Sequence, residues 1–154
     1  MTLTLSSPAF GDGHPIPQRF TRDGGNVSPP LRWNGAPRGT KSHALIVEDP
    51  DAPGGTFRHW AAYDIPGNIT ALTEGVGSRE VSSTLHVAFN DFGDRRYDGP
   101  QPPPGHGVHH YHFRLFALDV SKLKIPGNAS ARDVIEAARA HSLAEADFVG
   151  TSAR

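Results

Sequence analysis

The stretch from Tyr97 to Asp119, YDGPQPPPGHGVHHYHFRLFALD, runs a stiff loop directly into the most strand-like segment of the chain. Alternation from Val108 to Leu118 puts His109, Tyr111, Phe113, Leu115 and Ala117 on one face and His110, His112, Arg114 and Phe116 on the other. Pro102, Pro103 and Pro104 each fix φ near about −65° and remove a backbone donor, while Gly99, Gly105 and Gly107 permit close backbone approach. A rigid loop that delivers an imidazole and a phenol together predicts a small preorganised pocket at the start of a strand.

Upstream, Ser42 to Glu48 (SHALIVE) is a continuous apolar run that suits the centre of a sheet, and it stops at DPDAP, where Asp49 and Asp51 flank Pro50. One of these carboxylates is expected to turn back over the sheet edge and the other to face the loop. Phe57 to Ile65 reads as the next strand, with His59, Ala61 and Tyr63 on one face and Arg58, Trp60 and Ala62 on the other. Residues 2–7 alternate into a short first strand, residues 17–21 offer a short extended piece, and Pro29-Pro30 forces an extended approach from which Leu31 and Trp33 turn inward. Glu80 to Phe89 resumes strand alternation through Val81, Ser83, Leu85, Val87 and Phe89. Downstream, Ser130 as N-cap with Asp133 in the first turn predicts a helix to about His141, its apolar stripe made of Val134, Ile135, Ala137 and Ala138. Leu143 to Thr151, with Phe148 and Val149, predicts an edge strand. With 17 glycines and 14 prolines punctuating the apolar runs, the chain reads as a mainly β, loop-rich single domain spanning residues 1–154.

At 154 residues that domain can bury about two-thirds of its unfolded surface. A formal net charge of −1 with both signs scattered leaves no footprint for nucleic acid or a polybasic membrane contact. The absence of cysteine excludes disulfides, thiolate chemistry and Cys-ligated zinc. MTLTLSSPAF has no basic n-region and no unbroken apolar run, and no window approaches the roughly 20 apolar residues of a membrane span, so a cytoplasmic protein without stable membrane insertion is expected.

Nine histidines raise the question of a metal. On a strand, however, His109 does not share a face with His110 and His112, and no HExxH or two-His-one-carboxylate spacing occurs. The plainer reading of His110 and His112 is a solvent-side polar pair. No GxSxG elbow or Walker loop is present, so neither a nucleophile, a metal nor a cofactor is expected.

What remains is a set from three strand ends: Asp49, His59, and His109 with Tyr111. Each alone has an ordinary explanation, a turn-forming carboxylate or a packed histidine. In their order along the chain, however, NVSPPLRW (Asn26 to Trp33), DPDAP (Asp49 to Pro53), HW (His59-Trp60), YDGPQPPPGHGVHHY (Tyr97 to Tyr111) and the ending HSLAEADFVGTSAR (His141 to Arg154) resemble the phosphatidylethanolamine-binding protein family. The likeness covers nearly the whole chain and is nearest to the compact bacterial and archaeal branch often called Raf kinase inhibitor-like proteins.

The resemblance implies a β-sandwich of mostly antiparallel sheets with a few short helices. It also implies a small pocket for anions such as phosphate, a phospho-group or a carboxylate, built from Asp49, His59, His109 and Tyr111 and walled by Pro102, Pro103 and the backbone of Gln101. His59 and His109 are expected to donate to the anion, and Asp49 to accept from an imidazole or a protonated ligand oxygen. The family further implies a cis Ala52-Pro53 bond and a homodimer. Many bacterial relatives carry cysteine where Gln101 stands, so no thiol chemistry is expected at that wall. No counterpart of the C-terminal helix that serves lipid and kinase binding in eukaryotic members is expected here, and a Raf-type role is therefore not expected either. The function expected is a non-enzymatic binding or regulatory module. Its alternatives are an inhibitor that docks a kinase or serine protease at the pocket rim and, after it, a phosphoester-processing enzyme.

Overall fold

Every residue of β3 (Ser42–Asp49) is buried, as its unbroken apolar run requires of a strand covered on both faces. It is the middle strand of a five-stranded antiparallel sheet ordered β6 (His86–Val87), β4 (Phe57–Pro66), β3, β7 (His109–Leu118) and β8 (Ser142–Ser152). A three-stranded antiparallel sheet is ordered β1 (Thr4–Ser6), β2 (Leu31–Asn34) and β5 (Ala71–Leu72). The computed structural model describes residues 2–78 and 85–154, so residues 80–84 of the strand expected at Glu80–Phe89 lie outside the described residues, and the part that is seen pairs Val87 with Ala62 and His86 with Tyr63.

Alternation along β3, β4 and β7 divides the core in two. On one face Leu45, Val47, Trp60, Phe113 and Leu115 pack with Leu5, Leu31, Trp33 and Leu72 of the small sheet. On the other, Ala44, Ile46, Ala61, Phe116 and Leu118 are covered by α1 (Ala131–Ala140) through Ala131, Val134, Ile135 and Ala138. The expected mainly β sandwich is therefore the fold. The helix starts where the sequence places it: Ser130 Oγ accepts the Asp133 N–H at 3.3 Å and the Asp133 carboxylate accepts the Ser130 N–H at 3.0 Å. Because this box satisfies two otherwise open donors, Ser130→Ala should lower the unfolding free energy by about 1 kcal/mol. Urea titration measures it, and an unchanged midpoint would mean the box carries no stability.

Three local expectations need correction. Residues 17–21 are not extended, because Gln18–Phe20 closes a 3-10 turn, with the Phe20 N–H on the Pro17 carbonyl and the Thr21 N–H on the Gln18 carbonyl, both at 3.0 Å, that drives Phe20 into the core. No peptide bond among the described residues is cis, Ala52-Pro53 included. The turn closes without one, since Asp49 Oδ1 accepts the Asp51 N–H at 2.8 Å and the Ala52 carbonyl accepts the Gly55 N–H at 3.1 Å, and trans is the lower-energy isomer even before proline.

The third correction bears on the site. Val47 pairs with Trp60 but Glu48 pairs with Arg58, so His59 is one residue too many for strict alternation and forms a β-bulge. The bulge aims the His59 ring at Tyr111, 5.2 Å between centroids, on the face that carries Trp60, and away from Ala61 and Tyr63.

Candidate functional site

The end of β3, the start of β4 and the start of β7 lie at the same edge of the large sheet because their pairing is antiparallel. They bring Asp49, His59, His109 and Tyr111 together, and the proline loop lays Gln101, Pro102 and Pro103 across them, around a cavity of 150 Å³. All seven residues singled out in the sequence line it. Ala52, Pro53, Phe57 and Phe92, which were not singled out, complete an apolar wall. Phe92 packs edge-on against Phe57 at 4.7 Å, and the Arg22 guanidinium covers the Phe92 ring at 4.0 Å, which fixes that wall from outside.

The polar floor is a chain of hydrogen bonds. Asp49 is buried, and its Oδ2 lies 2.6 Å from His109 Nδ1 while its Oδ1 takes the Asp51 amide. His109 is 1% exposed, and its Nε2 lies 2.5 Å from Nδ1 of His106. The sequence reading missed His106; its only signal was a histidine between Gly105 and Gly107, three residues before His109.

His59 Nδ1 lies 2.9 Å from the Asp98 carbonyl and 3.1 Å from the Gly99 carbonyl. Carbonyls only accept, so Nδ1 carries the proton and neutral His59 presents Nε2 as an acceptor. Burial lowers the His59 pKa against the opposing pull of those carbonyls and of the Asp49 charge, so the neutral ring is the resting form. The donor role expected for His59 is thus open to it only after protonation. Tyr111 behaves oppositely: burial first, and then the Asp49 charge, push its phenol pKa up, so it stays a protonated donor.

A second layer holds these groups in place. The fully buried Asp98 carboxylate accepts from Asn26 Nδ2 and Asn90 Nδ2, both at 2.9 Å, and from Arg96 Nε at 3.1 Å. Next to it, a Cβ on Gly99 would stand 2.0 Å from the Phe20 carbonyl oxygen, so only glycine fits. On the opposite face, where they were expected as solvent-side polar residues, His110 pairs with Asp51 at 2.8 Å and His112 with Asp147 at 3.0 Å, partners the sequence reading did not name. Among the described residues no group of three or more His, Asp or Glu is arranged to hold a metal, and no helix is long and apolar enough to cross a membrane.

Residues 6–153 match the profile of the phosphatidylethanolamine-binding protein family. A UPF0098 protein of Aquifex aeolicus is 44% identical over 96% of this chain and 86% of its own length. The crystal structure of Escherichia coli YbcL, described as a new member of the mammalian family of that name, superposes with a TM-score of 0.94 at 32% identity, covering 100% of this chain and 99% of YbcL. A Mycobacterium tuberculosis protein carrying the name lipoprotein LppC is 40% identical over 97% of this chain and 71% of its own length. That likeness corrects the cytoplasmic expectation, because an N-terminal stretch without an apolar run and a sequence without a membrane-span window, on which it was based, do not fix a compartment.

Proposed function

The chain belongs to the phosphatidylethanolamine-binding protein family, and on that premise we propose that its pocket binds a small oxyanion, a phosphate or phospho-group or a carboxylate, and that the protein works as a non-enzymatic binding module. The observation that supports this most is the pairing, inside one 150 Å³ cavity, of the Tyr111 donor and the His109 ring, a donor there once doubly protonated, with acceptors (Asp49 and neutral His59). A fully ionised anion meets the Asp49 charge at close range and is repelled. An oxyanion that keeps one proton is complementary, since its O–H donates to Asp49 or to His59 Nε2 while its other oxygens accept from Tyr111 and from His109 when that ring carries its second proton.

Phosphate affinity should therefore rise as pH falls from about 8 to about 6, where phosphate gains the proton it can donate to Asp49 or His59. Isothermal titration with phosphate and with acetate tests the reading. His109→Ala should weaken phosphate binding by about 1.5–3 kcal/mol, the value of a hydrogen bond to a charged group, and His112→Ala on the other face should leave both affinity and pH dependence unchanged. Equal effects of the two substitutions, or affinity that climbs with pH, would remove His109 from the site. Turnover of a phosphomonoester panel that disappears in His109→Ala would replace the non-enzymatic half of the proposal with acid–base catalysis.

A further inference from the structure

Both ring nitrogens of His109 are already engaged. Nδ1 faces Asp49 Oδ2 at 2.6 Å and Nε2 faces His106 Nδ1 at 2.5 Å. An oxyanion can reach His109 only at Nε2, because Asp49 holds the other nitrogen, and there it accepts from the charged ring or donates its own O–H to the neutral one. We propose that His106 is a built-in competitor for this position: it occupies the anion-binding nitrogen of His109 in the empty site and has to leave when the anion enters. This competition presupposes the anion-binding function proposed above.

The proton count of the contact says how it opens. Asp49 is an acceptor, so Nδ1 of His109 carries a proton in either charge state. One further proton between the two rings makes a hydrogen bond, donated by His106 to neutral His109 or by charged His109 to His106. Two protons there set N–H against N–H, and the contact is lost. His106 is thus released either by displacement or by a second protonation.

The backbone permits the movement. His106 is exposed, its neighbours Gly105 and Gly107 have φ of 73° and 91°, and a Cβ added at either would meet nothing within 4 Å. Among the described residues, two backbone hydrogen bonds tie the turn, the His106 N–H on the Pro103 carbonyl and the Gly105 N–H on the Arg154 carbonyl, each at 3.1 Å. The other charged or titratable groups around the pair leave the sign of this proton count intact. His59 and Tyr111 rest neutral for the reasons given above, and the Arg154 guanidinium is paired with Asp23. Asp51, held below the usual carboxylate range chiefly by its hydrogen bonds from His110, contributes a constant negative charge.

Isothermal titration with inorganic phosphate on the wild type, His106→Ala and His106→Gln, at about pH 8 and about pH 5.5, tests the competition. Removing the competitor should tighten phosphate binding about fivefold at the higher pH, the fold-change of one neutral hydrogen bond, and the gap should narrow at the lower pH, because a second proton between the rings would itself break the His106 contact. His106→Gln keeps an amide N–H to donate to Nε2 but cannot be protonated, so it should bind weakly at both values. Phosphate binding that is unchanged or weaker in His106→Ala overturns the competition alone, whereas no phosphate binding by any of the three proteins overturns the anion site as well. Nitrogen NMR of the imidazoles without phosphate gives a separate reading. The His109 Nε2 resonance should move in His106→Ala, and a resonance that stays put would refute the contact itself.

Discussion

Asp98→Ala is expected to lower the unfolding free energy by about 4 kcal/mol, because the carboxylate is fully buried and accepts three hydrogen bonds, each worth about 1.5 kcal/mol or more at a charged acceptor. The loss is shared over distant parts of the chain: Asn26 precedes β2, Asn90 follows β6, and Arg96 lies in the loop that leads to the pocket. Asp98→Asn should recover only part of it, since one amide oxygen can replace one acceptor while its NH2 meets the NH2 of Asn90. Burial alone would raise the Asp98 pKa, but the side-chain hydrogen bonds and the Arg96 charge carry it below the usual range. A depressed carboxylate stabilises fully above its unfolded value and loses that contribution as pH falls through its folded one, so the gap between wild type and Asp98→Ala should narrow below about pH 4. Urea unfolding at neutral and acid pH measures both effects, and a neutral-pH difference under about 1 kcal/mol would show that the asparagines and arginine find other partners. The same variant should disturb the pocket, because the Asp98 and Gly99 carbonyls set which nitrogen of His59 carries the proton.

How far the site could be read from the chain depended on whether alternation held. Along β7 it holds from end to end, so His109 and Tyr111 were placed correctly on the inner face and His110 and His112 on the outer one. The capping box of α1 is equally local, three residues of sequence deciding where the helix starts. His59 was assigned to the pocket through the family likeness while its face was misread, since the bulge that aims it exists only in the pairing of β4 with β3, and no pattern within β4 announces it. Phe92 and Arg22 escaped for a related reason: they meet at the pocket wall from loops far apart in sequence. His106 was hidden by its two glycines, whose left-handed conformations let the chain double back so that a histidine three residues away reaches the ring of His109.

His43 supplies a second large effect, and it works through acid. It is completely buried on the inner face of β3, beside Trp33, and among the described residues neither ring nitrogen makes a well-formed hydrogen bond, the Pro66 carbonyl exerting only a partial pull on the ring. Burial pushes its pKa from 6.5 to about 4, with the Pro66 carbonyl offsetting only part of the shift. The folded state therefore holds His43 neutral while the unfolded chain takes up a proton as soon as pH drops past its ordinary value. Stability from this residue is complete above about pH 6.5 and is lost as pH falls toward 4, a total of about 3 kcal/mol at roughly 1.4 kcal/mol per unit. His43→Leu, similar in bulk and without polar atoms, should match or exceed wild-type stability at pH near 7.5, since it removes an unpaired buried group. At about pH 4.5 it should exceed the wild type by a further 2–3 kcal/mol, and because His59 and the carboxylates are common to both proteins their titration cancels in the difference. Parallel urea curves at the two pH values decide it: a His43→Leu advantage that does not grow on acidification would mean that the buried imidazole accepts its proton within the fold, through a partner or a local opening between β2 and β3.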